Sequence, residues 1–416
     1  MRVLFVCDRL ITFIVNEIVE LEKLGNDVTA FSTHRDRPMY EAIVRPMLIA
    51  NRLETKTFVD FNLPKGRWNL LATFIRYLMS DALRYPWRTM RSLALLHEIF
   101  PRLKQRAICY IETRPLLARE YEVIHSPFST PDIIKRVYFL ARLLKLPYTL
   151  SFRAHDIYRG LEESVKKEQY IRRASRIFLI SLYYRERVLS SLSSPMEMDI
   201  IHAGVDLDFF KPERIPKREN GLIAVCRFDE FKGIIYLLEA CRILQERNFG
   251  YQCYLIGSGP QENAYRAFIK EHNLENVTIL SFLSRERVRE ELAKSEIFVL
   301  PCIELADGAG DVLPNALKEA MAMELPVITS DIRGIRELVD DGLNGLLVPD
   351  KKPVAIADAI ERLSRDKALS AIMGRAARKK ILSDFNIRRE AQKIQTIFQQ
   401  AVAASSEDRA WVRGNV

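Results

Sequence analysis

The sequence predicts an α/β protein made of two doubly wound domains. Short apolar runs alternate with segments of helical spacing along most of the chain. The alternation breaks at a charged stretch with two prolines, Lys211 to Glu219, and then restarts. At roughly 100–200 residues per domain, 416 residues are too many for one ordinary core.

Val3 to Cys7 is a continuous apolar run that reads as a buried strand. Phe13, Ile14, Ile18, Leu21 and Leu24 then recur at three- and four-residue spacing, and Gly25 ends that helix. Asp27 to Phe31 reads as a second strand, completing a βαβ unit with parallel strands. Val123 to His125, Pro147 to Phe152 and Ile177 to Ile180 are further strands of the first domain. In the second, Leu222 to Cys226 is a strand, Gly233 to Arg247 a helix and Tyr251 to Ile256 a strand. Val277 to Leu280, Ile297 to Leu300, Pro326 to Thr329 and Leu346 to Val348 continue the series. Ligands of such folds bind beyond the carboxyl ends of the strands, so residues just after strands are the first functional candidates.

Composition narrows the class. With 48% hydrophobic and 28% charged residues, collagen-like, disordered and disulfide-scaffold chains are excluded. The six cysteines are scattered without a C-x-x-C pair, which points to a reducing compartment rather than a zinc site. The start, MRVLFVCDRL, is too short an apolar run for a signal peptide. No uninterrupted apolar stretch reaches the roughly 18 residues of a spanning helix. Lys and Arg number 63 against 54 Asp and Glu, a formal charge of +9. That excess admits nucleic acid, an anionic membrane surface, an anionic substrate or solubility alone.

The most informative window runs from Val299 to Pro349. A strand ends at Leu300, a glycine-containing loop follows, and a helix begins near Pro314. Backbone N–H groups near Asn315 and Ala316, at the start of that helix, are placed to receive a diphosphate. Asp311 and Glu319, eight positions apart, can aim two carboxylates at sugar hydroxyls. Arg227 leaves the end of a strand and Lys232 precedes a helix opening at Gly233, so both cations can close on one pyrophosphate. Gly257-Ser258-Gly259-Pro260 permits close backbone approach. Taken singly, each residue has a plainer reading: Arg227 and Lys232 as surface charges, Glu319 as a solvated helix residue, His155 as a structural histidine. His34, His97, His125, His202 and His272 receive no role.

Together these motifs resemble glycosyltransferase family 4, retaining enzymes of the GT-B architecture with two Rossmann-like domains facing a cleft. The resemblance rests on Cys226-Arg227-Phe228 with Lys232-Gly233, Ile256 to Pro260, Leu313-Pro314-Asn315 leading to Lys318-Glu319-Ala320, Gly334 to Leu338, and Asp341 to Val348. It extends to Ile201 through Phe210, to Phe152-Arg153-Ala154-His155-Asp156, and to Thr12-Phe13-Ile14 with Glu17-Ile18, the last being similar to the capsule and exopolysaccharide branch. It implies an acceptor-side domain at 1–206, a nucleotide-sugar domain at 207–389, and a helix with tail at 390–416 that crosses back to the first. A hinge is expected near residues 205 to 212.

The resemblance also implies roles. Arg227 and Lys232, with Gly257, Asn315 and Ala316, bind the donor diphosphate; Glu319 holds the ribose hydroxyls. Asp311 stands where the family has the first glutamate of a Glu-x7-Glu pair, and His155 lies beside the anomeric centre. Two departures mark this chain: Asp311 is one methylene shorter than glutamate, and Val312 replaces the usual glycine.

The expected reaction moves a sugar from a nucleoside-diphosphate sugar to a hydroxyl of a lipid-linked or saccharide acceptor, in bacterial surface polysaccharide synthesis. No cofactor is called for. No Asp-x-Asp metal-binding pattern is read in the chain, so metal independence is expected. The segment from Lys65 to Arg106 carries nine Lys or Arg, two acidic residues and interleaved aromatics, which suits peripheral contact with an anionic membrane from the cytoplasm. A dinucleotide-dependent Rossmann enzyme is disfavoured because no G-x-G-x-x-G follows the first strand. A non-catalytic basic protein is disfavoured because no nucleic-acid module is recognisable.

Overall fold

In the computed structural model, residues 1–34, 44–59, 63–153, 168–305 and 310–414 are described. They form two compact units. The first comprises Met1–Ile180, Arg185–Ile201 and Ala391–Val416; the second comprises Ser181–Tyr184 and His202–Glu390.

The first unit carries strands β1 (Arg2–Arg9), β2 (Asp27–His34), β3 (Thr57–Val59), β4 (Val123–Ser126), β5 (Tyr148–Phe152), β6 (Arg176–Leu179) and β7 (Asp199–Ile200). Its helices are α1 (Thr12–Lys23), α2 (Arg67–Arg84), α3 (Pro86–Ile99), α4 (Leu103–Thr113), α5 (Pro131–Leu144) and α6 (Tyr183–Ser190), the last from Arg185 onwards, with short helical segments at Arg45–Ala50 and Glu168–Ile171. The strands pair in parallel in the order β3-β2-β1-β4-β5-β6-β7. Val3 to Cys7 are fully buried, as a parallel strand covered on both faces requires. Helix α1 ends where Gly25 takes φ +82, and Asn26 N–H reaches back to the Leu21 carbonyl at 3.1 Å.

The second unit carries β8 (Gly221–Val225), β9 (Gln252–Ile256), β10 (Val277–Leu280), β11 (Ile297–Leu300), β12 (Val327–Ser330) and β13 (Leu346–Val348). Helices α7 (Ile234–Glu246), α8 (Glu262–Glu271), α9 (Arg285–Ala293), α10 (Asn315–Ala322), α11 (Pro353–Arg365) and α12 (Lys367–Asp384) belong to it. Its sheet is also parallel, in the order β10-β9-β8-β11-β12-β13. Counted from its own first strand, this repeats the 3-2-1-4-5-6 order of the first sheet, that of the dinucleotide-type doubly wound fold.

The last helix, α13 (Ile387–Gly414), begins in the second unit. Its Ala391, Ile394 and Phe398 lie in the first unit's core with Val3, Phe5 and Ile14. The charged stretch after Val205 is docked rather than loose. Val205 N–H donates to the Phe385 carbonyl at 2.7 Å, and Arg218 pairs with Glu291 at 2.6 Å.

Candidate active site

In the second sheet β8 and β11 are neighbours although β9 and β10 intervene in sequence. The chain leaves this pair in opposite directions, so the loops after β8 and β11 border the crevice where open parallel sheets bind ligands. Both loops are stitched together. Phe231 O accepts from Ile303 N–H at 2.8 Å, and Gly233, at φ +67, would place a Cβ only 1.9 Å from the Pro301 carbonyl oxygen. No other residue type fits there.

Lys232, the last residue of the turn after β8, donates through Nζ to Asp311 Oδ2 on the opposite loop. Burial alone would lower the Lys232 ammonium, but the Asp311 carboxylate outweighs it and holds the group above the ordinary lysine range. Arg227, by contrast, is 69% exposed, with Nε 3.6 Å from Asp229. The two cations read as one clamp thus stand in different settings, one in a mostly buried ion pair and one in a largely exposed, longer one.

Gly257 and Gly259 press against this loop. A Cβ on Gly257, at φ +144, would meet the Cys226 carbonyl oxygen at 1.8 Å; one on Gly259 would lie 2.8 Å from backbone atoms of Phe228. Phe228 N–H is fixed by the Ser258 carbonyl at 2.9 Å. Burial pushes the Cys226 thiol up to about 12 despite nearby Lys232, so it is no nucleophile.

Helix α10 starts at Asn315 behind Pro314, with no side chain capping it, so its first N–H groups have no partner within the helix. Asn315 is exposed and Ala316 half-buried. Glu319 is half-buried one turn further on. Its burial raises the carboxyl above the ordinary range, with Arg285 and Lys318 opposing. Arg285 also lies 3.5 Å from Asp206 and stacks on Phe209 with its guanidinium 4.0 Å from the ring centre.

Residues 206–380 match the family of glycosyl transferases group 1. Most of the second unit is thus similar to the group 1 glycosyl transferases. AmsK of Erwinia amylovora, an amylovoran biosynthesis glycosyltransferase, is 36% identical over 166 residues, 40% of this chain and 41% of that protein. The UDP-Gal:α-D-GlcNAc-diphosphoundecaprenol α-1,3-galactosyltransferase of Escherichia coli is 28% identical over 310 residues, 68% of this chain and 76% of that enzyme. The chain spans about half the length of the curated relatives it matches at 33–36% identity. The crystal structure of Anabaena HepE with UDP and glucose covers 96% of this chain and 99% of its own, at TM-score 0.68 and 16% identity. The architecture is GT-B.

Three features of the second unit escape sequence reasoning. Lys318 is fully buried and donates through Nζ to the Ala203 carbonyl, with the Phe385 ring centre 5.6 Å away. Its place inside a helical run gives no sign that it ties down another segment. Glu337 accepts hydrogen bonds from Ser181 Oγ and from the backbone N–H groups of Tyr183, at 2.8 Å, and Leu182, at 3.0 Å. Burial opposes its ionisation, but these bonds and one from His202 win and hold its carboxyl below the ordinary range. Val312, the departure from the family glycine, is buried. Its Cγ1 sits 2.6 Å from where a Cβ on Gly334 would be.

One Asp-x-Asp spacing does occur, at Asp206 and Asp208, against the expectation that the chain has none. Asp206 accepts from the N–H groups of Asp208 and Phe209 and faces Arg285, while Asp208 pairs with Arg388. Among the described residues, no cluster of three or more His, Cys, Asp or Glu could hold a metal ion. His155 lies outside the described residues.

Proposed function

We propose that this chain is a retaining, metal-independent glycosyltransferase. It moves a glycosyl unit from a nucleoside-diphosphate sugar to a hydroxyl of a lipid-linked or saccharide acceptor in bacterial surface polysaccharide synthesis. The observation that carries this reading is the Lys232–Asp311 pair at the switch point of a group 1 domain, with Glu319 one turn inside α10.

Bond cleavage at the anomeric carbon leaves negative charge on the departing diphosphate and positive charge on the sugar ring. Lys232, Arg227 and the N–H groups of Asn315 and Ala316 answer the first; preorganised donors and cations stabilise such charge without reorganising during the reaction. Diphosphate that engages Lys232 shares its ammonium with Asp311, leaving the carboxylate available to hexose hydroxyls on the same side. Glu319 takes the ribose hydroxyls, and the family resemblance assigns His155 the role at the anomeric centre. AmsK, named for amylovoran biosynthesis, and the galactosyltransferase, named for a diphosphoundecaprenol-linked substrate, support the acceptor class. The enzyme works at the cytoplasmic face of the membrane, touching it peripherally through residues 65–106.

Thermal-shift titration with UDP-, GDP- and ADP-sugars, followed by product analysis with the preferred donor, tests the reading. One nucleotide series raising the melting temperature, with an α-configured product from an α-linked donor, is expected. Absence of any nucleotide-sugar response would overturn it.

A further inference from the structure

Helix α2 reverses the polarity of an ordinary surface helix. Its single acidic residue, Asp81, is buried and held by Arg114 Nη2 at 2.8 Å and Tyr110 Oη at 2.7 Å, beside buried Leu70 and Phe74. Its opposite face, at three- and four-residue spacing, presents Trp68, Ile75, Met79 and Leu83 to solvent. Trp68 is 79% exposed and Leu83 87% exposed. After the break at Tyr85, α3 continues with Trp87, 81% exposed, and Met90. Two of the three tryptophans of the chain therefore stand in water, one near the start of each helix. A folded chain seldom exposes so many large apolar side chains along one helix face and the start of the next without a partner.

The charges around the strip say which partner. Lys65 and Arg67 flank the start of α2, which has no acidic residue in its first turn and no side-chain cap. Positive charge there opposes the helix dipole, so this placement weakens the isolated helix. Arg76 and Arg84 are exposed along it, and among the described residues none of these four cations makes an ion pair. The acidic residues of the segment are neutralised by cations from elsewhere: Asp81 by Arg114, and Glu98 by Arg142 at 3.5 Å. No helix among the described residues is long and apolar enough to cross a membrane. Exposed aromatics and aliphatics between unpaired cations fit an anionic lipid surface, with apolar groups at the acyl boundary and cations among the headgroups.

We propose that α2 and the start of α3 form a membrane-inserting edge. Trp68, Met79, Leu83 and Trp87 enter the interfacial layer of an anionic bilayer, while Lys65, Arg67, Arg76 and Arg84 engage its headgroup phosphates. This deepens the peripheral contact stated above from charge attraction to apolar insertion, and it rests on that reading only for the choice of a lipid-linked acceptor.

The test uses the full chain with Trp411→Phe, so that Trp68 and Trp87 are the only emitters. Vesicles of phosphatidylcholine with phosphatidylglycerol should float the protein, blue-shift its emission and, when the acyl chains are brominated, quench it; pure phosphatidylcholine should do little. The triple variant Trp68→Ser, Leu83→Ser, Trp87→Ser should reduce the vesicle-bound fraction roughly tenfold, as expected for loss of most of the inserting area, with unchanged circular dichroism. Binding without quenching would overturn insertion. A concentration-dependent dimer that blue-shifts the tryptophans without lipid would assign the strip to a second copy and overturn the proposal as well. Donor hydrolysis in vesicle-free solution, measured in parallel, reports on the transferase reading alone and should be the same in the triple variant.

Discussion

Lys232 and Asp311 meet across two loops that are 79 positions apart in sequence and adjacent only because β8 pairs with β11. The ammonium is buried enough that the carboxylate, not water, sets its charge state. Replacing Asp311 by Asn leaves a largely buried cation without its counter-charge and should cost about 1–3 kcal/mol of stability, together with most of the transfer rate. Asp311→Glu restores the charge and should recover stability before activity, because the longer side chain displaces the loop. Chemical denaturation beside transfer assays separates the two effects; equal stability of all three proteins would show the pair to be dispensable.

Glu319 should behave in the opposite way. Its carboxyl is raised in the folded protein, so folding favours the protonated form, and the penalty for ionisation is absent below the unfolded value near 4.3 and complete above the folded one. Glu319→Gln should therefore melt above the parent protein at pH 8, with the advantage fading towards pH 4. Donor affinity should fall by about 10–100-fold, the loss of charge-assisted bonds to hydroxyls. Thermal melts across pH and nucleotide-sugar titration check both halves.

At Glu337 the sign is reversed. Its carboxyl is depressed, so its stabilisation is present above the unfolded value near 4.3 and is lost as pH falls through the folded one. Glu337→Gln should cost about 1–3 kcal/mol at neutral pH. The gap to the parent protein should close on acidification below about pH 4. A gap that stays constant down to the acid transition would mean that the turn at Ser181 to Tyr183 does not depend on the charge.

Gly233→Ala and Gly257→Ala each force a methyl group into a carbonyl oxygen at 1.9 and 1.8 Å, from backbone conformations that side chains rarely adopt. Each should lose at least about 2 kcal/mol, with donor affinity falling alongside. Gly250→Ala, where a Cβ meets nothing within 4 Å, is the control expected to be near neutral.

How much of this was legible in the sequence follows from what each feature depends on. The central strands were legible because burial on both faces makes them unbroken apolar runs, as at Val3 to Cys7 and Ile297 to Leu300. Edge strands β3 and β7 were not, being three and two residues long and only partly apolar. Helices α11 and α12 carry local signals in the sequence: Pro353 in the first turn of one, and Asp366 capping the other by accepting from Leu369 N–H at 2.8 Å. Within the site, Arg227, Lys232, Asp311 and Glu319 could be picked out by type and position after strands. The bond between Lys232 and Asp311 could not, because it is a product of strand order. The bonds of Lys318 and Glu337 are hidden for the same reason, since their partners Ala203 and Ser181 lie more than a hundred residues away.

Helix α13 bears on the order in which the molecule assembles. The first unit's core includes Ile394 and Phe398, yet everything between His202 and Glu390 belongs to the other unit. A chain emerging from the ribosome therefore finishes the second unit while the first still lacks one wall of its core. The N-terminal half must wait, with part of its apolar interior open, until the last helix arrives, and chaperone demand during synthesis should fall on that half.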